Sequence, residues 1–162
     1  MRTRKILLLA VMASFALACT PTDESPNEDI QAADQALSEY LGFLHAGEYG
    51  QALALAAEDA DFWIVLQDNN PDVSSDRVEL LRRGCEQQGV CHELRRIVSS
   101  EQVNPTEFRI VVEFSLDDGS LFVLGACCGA NETEMPPQSQ FEFRVVKSGN
   151  TFQIYGGPIF VP

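Results

Sequence analysis

The feature that most limits what this chain can fold into lies at its start. Residues 6–18 are an uncharged apolar run of thirteen residues, preceded by the basic Met1-Arg2-Thr3-Arg4-Lys5. A helix needs about 20 apolar residues to cross a bilayer. A short run with a basic flank and a small-residue end instead fits an export signal that is cut away. Residues 1–18 are therefore set aside from the fold. The remaining 144 residues are the size of one ordinary domain with a single core.

The run ends in Ala16-Leu17-Ala18-Cys19. This segment resembles the lipobox of bacterial lipoproteins, with Ala16 at the position where leucine is commonest. The resemblance implies cleavage after Ala18, diacylglycerol on the Cys19 thiol, and an acyl chain such as palmitate on the new amino group. Thr20 rather than Asp after the cysteine implies sorting to the outer membrane, facing the periplasm or the cell surface. Several acyl chains make a stable anchor, because each buried methylene contributes about 0.8 kcal/mol. The alternative is an ordinary secretory signal that leaves Cys19 a free thiol, a liability for an exported chain.

Residues 20–29 hold two prolines and four acids with no large apolar residue. With Cys19 they read as a lipidated N-terminus and solvated acidic tether. Residues 30–162 read as one α+β domain. Losing the signal removes three basic residues, leaving eight against 24 acidic ones, a net charge of −16. Such a domain repels phosphate backbones and anionic headgroups, so no nucleic-acid partner is expected and any membrane contact runs through the lipid. Acidity also serves solubility.

Apolar spacing predicts a helix over 30–46, with Ile30, Ala33, Leu37, Tyr40, Leu41 and Leu44 on one face and Gly47 as its stop. A second helix is expected over 49–57. Phe62-Trp63-Ile64-Val65-Leu66 belongs in the core as helix or strand. A third helix is expected from Ser75 or Asp76 to Gly89, with a capping-box spacing from Asp76 to Glu79 and an apolar face of Val78, Leu81 and Cys85. After His92 the texture becomes β. Phe108, Ile110, Val112 and Phe114 alternate with Arg109, Val111, Glu113 and Ser115, and Phe141, Phe143 and Val145 with Glu142, Arg144 and Val146. Asp117-Asp118-Gly119 predicts a hairpin with a returning strand over 120–127, and Ser148-Gly149-Asn150 a second hairpin returning over 151–155. Residues 94–99 are a further candidate strand. Helices succeeded by antiparallel hairpins form an α+β layout in which N-terminal helices cover the buried sheet face.

The stretch Tyr40-Leu41-Gly42-Phe43-Leu44-His45-Ala46-Gly47-Glu48-Tyr49-Gly50-Gln51-Ala52-Leu53 resembles the opening of nuclear transport factor two-like domains. The closing hairpin from Phe143 to Tyr155 is similar to the end of that fold. The resemblance implies a cone, of the cystatin-like kind, whose curved antiparallel sheet wraps N-terminal helices and often leaves a pocket. Some members are isomerases or dehydratases; others bind or assemble without catalysis, and fold alone does not choose.

Cys85, Cys91, Cys127 and Cys128 make an even set in an exported domain, which reads as two disulfides. A bridge between the adjacent Cys127 and Cys128 is strained. The favoured pairing sends Cys85 and Cys91 each to one of that pair, closing loops of 36 to 43 residues. A local Cys85–Cys91 bridge is the alternative. Their spacing is not that of a zinc site, so no metal is expected.

Catalytic material is thin, and no cofactor motif is present. There are two histidines, His45 and His92, and no Gly-x-Ser-x-Gly. Asp59 and Asp61 flank the aromatic run, where an acid with a raised pKa acts as a base. Tyr40 and Trp63 are the aromatic residues that would line such a pocket, or simply core. Arg82, Arg83, Arg95 and Arg96 either form one cationic spot for an anionic ligand or pair with local acids. The sequence favours a non-catalytic, membrane-anchored binding domain for a protein or small-molecule partner. The alternative is a small isomerase or dehydratase with Asp59 or Asp61 as base.

Overall fold

The computed structural model describes residues 26–126 and 130–160. Cys19, Cys127 and Cys128 lie outside the described residues. Among those described, no helix is long and apolar enough to cross a membrane.

The chain opens with α1 (Pro26–His45), α2 (Tyr49–Leu55) and α3 (Phe62–Asn69). A 3₁₀ turn (Pro71–Val73), α4 (Arg77–Arg83) and a π-helical turn (Gly84–Gln88) come next. The strands are β1 (Gly89–Val90), β2 (Glu93–Asn104), β3 (Glu107–Ser115), β4 (Phe141–Ser148), β5 (Thr151–Ile154) and β6 (Ile159–Phe160). The four longer strands form one antiparallel sheet in the order β2-β3-β4-β5, and β1 pairs with β6 separately. The fold is α+β.

Helix α1 begins four residues before the expected start, within the stretch read as tether. Pro26 at the first position has a φ already suited to the helix, and Glu28 and Asp29 in the first turn favour its positive end. At the other end Gly47 takes φ 74°. That left-handed residue lets the Glu48 N–H donate to the Phe43 carbonyl at 2.8 Å, closing the helix. The inward face is the expected one: Ala33, Leu37, Tyr40, Leu41 and Leu44 are buried. They meet Phe108, Ile110, Val112 and Phe114 of β3 and Phe141, Phe143 and Val145 of β4 in one cluster. Burying one such side chain contributes roughly 1.5–3 kcal/mol.

The 62–66 run is helical. Phe62, Trp63 and Leu66 are buried, but Ile64 and Val65 face outward, because a helix cannot turn five consecutive residues to one side. In α4 the Asp76 side chain accepts from the Glu79 N–H at 3.0 Å, as its spacing predicts. The expected apolar face there holds for Leu81, which is buried, and Cys85, which packs on the core, but Val78 is exposed and Leu80 is buried in its place. The third helix also ends early, passing into the π-helical turn at Gly84.

The strand expected over 120–127 does not form among the described residues 120–126. Strand β3 already has β2 on one side and β4 on the other, with β4 reaching from Glu107 to Val112. Only the far end of β3 is open to the returning chain. There Ser115 bridges Leu121 and the Phe122 N–H donates to the Phe114 carbonyl, before the chain leaves the sheet. The outer sheet face carries charges: Arg109 lies between Glu101 and Glu142, and Arg144 pairs with Glu107.

Candidate functional site

Where α1 meets the sheet, a cavity of about 10 Å³ is lined by Leu41, Leu44, Cys91, His92, Phe114, Phe143 and the segment Gly157–Ile159. This is about the room one water occupies. No carboxylate lines it.

The residues singled out from the sequence divide between inside and outside. Tyr40 is fully buried on α1, and its hydroxyl has no hydrogen-bond partner among the described residues. Burial pushes its pKa up, so it stays neutral. Trp63 is buried on α3; its indole N–H donates to the Ala57 carbonyl at 2.7 Å, and the Arg77 guanidinium sits 5.0 Å from its ring. Both are core residues. Asp59 and Asp61 instead lie on the surface, in a cleft of about 260 Å³ shared with Arg144 and Tyr155. The Tyr155 hydroxyl bonds to Asp59, which raises the tyrosine pKa. Arg144 stacks 4.3 Å from the Tyr155 ring and donates to Glu107 at 2.9 Å. The expected grouping of Asp59 or Asp61 with Tyr40 and Trp63 in one pocket does not occur. Both acids stand in the turn leading into α3, on the solvent side, whereas the two aromatics point inward.

Cys85 and Cys91 are bonded to each other, with Cα atoms 5.1 Å apart. This overturns the favoured pairing in which each crosses to Cys127 or Cys128. The π-helical turn folds the chain back within six residues, bringing the two thiols together locally. Among the described residues no three His, Cys, Asp or Glu side chains gather as a metal would need.

The four arginines read as a cationic spot are tied up by local partners. Arg82 pairs with Glu79 and Glu86, and Arg83 with Asp72 and Glu79. The Arg82 and Arg83 guanidiniums hold the Glu79 pKa down to about 2. Arg96 grips Glu113 through two nitrogens at 2.7 and 3.1 Å, and Arg95 donates to the Gly119 carbonyl. The sequence reading missed Glu113, a buried carboxylate on the outer sheet face whose pKa is lowered chiefly by the Arg96 hydrogen bond. Its place opposite Arg96 across the sheet is set by strand register, and a β-bulge shifts that register.

His45 ends α1 with its ring Nδ1 3.0 Å from the Cys91 carbonyl. His92 packs on Phe122 and lines the cavity, and burial pushes its pKa down. The other feature missed is the segment after β5. Gly156 and Gly157 press their backbone against Phe143 and Phe62: a Cβ on Gly156 would stand 2.3 Å from Phe143, and one on Gly157 2.5 Å from Phe62. Only glycine permits that approach. Gly156-Gly157-Pro158 was the available signal.

No protein-family model matches the chain, and no curated protein sequence matches it.

Proposed function

We propose that the chain is a bacterial envelope lipoprotein, anchored in the outer membrane through lipid on Cys19. Its domain belongs with the nuclear transport factor two-like cones and works by binding a protein or small apolar molecule without catalysing a reaction. The lipobox resemblance supports the address. Helices laid across an antiparallel sheet, in the expected order, support the family reading. The observation that carries the non-catalytic reading is the size of the apolar cavity beside α1: about 10 Å³, room for about one water and not for a substrate. A dehydratase or isomerase needs an acid or base within hydrogen-bond reach of its substrate. Asp59 and Asp61, the acids considered for that role, open to solvent.

Native mass spectrometry of the protein released gently from bacterial membranes tests this. The expected result is an intact noncovalent partner or ligand whose retention is unchanged by Asp59→Asn and Asp61→Asn. Turnover of a co-purified small molecule that either substitution abolishes would overturn the reading.

A further inference from the structure

One wall of the small cavity is a single short piece of chain, Gly157, Pro158 and Ile159, and the way that piece is held bears on how the cavity opens. Upstream, β5 is well fixed: Ile154 pairs with Val145, its carbonyl accepts from the Ala57 N–H, and the Tyr155 N–H donates to the Arg144 carbonyl. Downstream, the fixing is slight. Among the described residues, the strand β6 pairs with Gly89 and Val90 of β1. That short partner is itself held at its C-terminal end by Cys91. This cysteine, next in the chain, is bonded to Cys85, and its carbonyl meets His45 at the end of α1.

Beneath this strap lie Leu41 and Leu44 from α1, Phe114 from β3 and Phe143 from β4. They are apolar and come from three separate elements of the fold. His92 is the one titratable side chain in the wall, and its burial favours the neutral form. The fit of strap to core depends on absent side chains, since Gly156 and Gly157 lie against Phe143 and Phe62. Pro158 packs on Gly84, at the start of the disulfide-closed turn; a Cβ there would stand 3.0 Å from the proline ring.

We infer that residues 156–160 form a strap that gates an apolar ligand site on Leu41, Leu44, Phe114 and Phe143, and that the Cys85–Cys91 disulfide latches it shut. The ligand is a small uncharged apolar molecule, because nothing in the wall compensates a buried charge. Opening by reduction is chemically complete with a dithiol donor. Two electrons and two protons pass to the pair, the S–S bond breaks, two thiols form, and the donor becomes a disulfide. β1 then loses the cross-link from Cys91 back to Cys85, and β6 loses a fixed partner. This inference rests on the binding-domain reading above and adds to it the gate and the class of ligand.

The test uses the full chain carrying Cys19→Ser, which avoids detergent and leaves every described residue unchanged. Two variants are compared with it: Cys85→Ser/Cys91→Ser, and Gly157→Ala with the disulfide intact. Hydrogen exchange read by mass spectrometry tracks the strap, and N-phenyl-1-naphthylamine, a neutral apolar dye, reports the site. Exchange in 156–160 should quicken at least tenfold in both variants while β3 and β4 keep their protection. The dye should bind one per chain, at least tenfold tighter than to the parent. If the double serine variant loses β3–β4 protection as well, Gly157→Ala alone decides. Unchanged strap exchange in Gly157→Ala overturns the gate and leaves the binding-domain reading standing. A released strap with no gain in dye binding overturns the apolar site, and with it the ligand-binding half of that reading.

Discussion

Lys147 and Asp29 meet at 2.6 Å although 118 residues separate them. The pair joins the first turn of α1 to the β4–β5 hairpin, and both side chains are largely shielded from water. Shielding makes an ion pair matter more than one in open solvent. A double-mutant cycle with Asp29→Asn and Lys147→Met should give a coupling of about 1 kcal/mol, read by urea unfolding. Strict additivity would mean that the contact does not fasten the helix to the sheet.

Tyr40 presents the opposite situation, a buried hydroxyl with no partner among the described residues. A polar group in that position costs free energy that its ring burial must offset. Tyr40→Phe keeps the ring and removes the cost, so it should be neutral or stabilise by about 1 kcal/mol. Chemical denaturation measures this. A loss of comparable size would show that the hydroxyl holds a buried water.

The Cys85–Cys91 bridge closes a short loop, so its effect on the unfolded chain is modest. Its sequence separation of six residues predicts a contribution of about 2 kcal/mol in the chain-entropy model. Cys85→Ser/Cys91→Ser should lower stability by that amount without abolishing the fold. Complete unfolding at ambient temperature would contradict a local role for the bridge.

Acid should weaken the domain in two separate windows. The His92 pKa is lowered from its ordinary 6.5 by burial, which outweighs the opposing pull of Asp117 and is helped slightly by His45. The unfolded chain then takes up a proton that the folded one refuses, so stability falls as pH drops through about 6.5. Glu79 and Glu113 are lowered carboxylates, held by Arg82 and Arg83 and by Arg96. Their contribution is present above the ordinary carboxylate pKa and is lost as pH falls toward about 2 for Glu79. Unfolding curves measured between pH 7.5 and 3 should lose the upper slope in His92→Asn and part of the lower slope in Glu79→Gln. An unchanged profile in His92→Asn would mean that the imidazole is solvated.

Much of this architecture was legible in the chain. The face of α1 could be read from Ile30 to Leu44, and the inward sides of β3 and β4 from Phe108–Phe114 and Phe141–Val145, because one strong period governs each. The errors fall where contacts made elsewhere decide. Leu121, Phe122 and Val123 look like a strand, yet β4 already occupies most of the edge of β3 they would need. Ile64 and Val65 look like core, but α3 has only one buried side. The thiol pairing depended on a π-helical turn that no local pattern announces. The cleft beside Asp59 is completed by Arg144 and Tyr155, far along the chain, so the acids alone gave no hint that they face outward.

The proposed attachment of the domain to a lipid leaflet is open to one decisive measurement: the intact mass of the protein purified from bacterial membranes. A chain beginning at Cys19 and heavier by a diacylglyceryl group and an amide-linked acyl chain is the expected result. A chain beginning upstream of Cys19, or one starting there with an unmodified thiol, would contradict it.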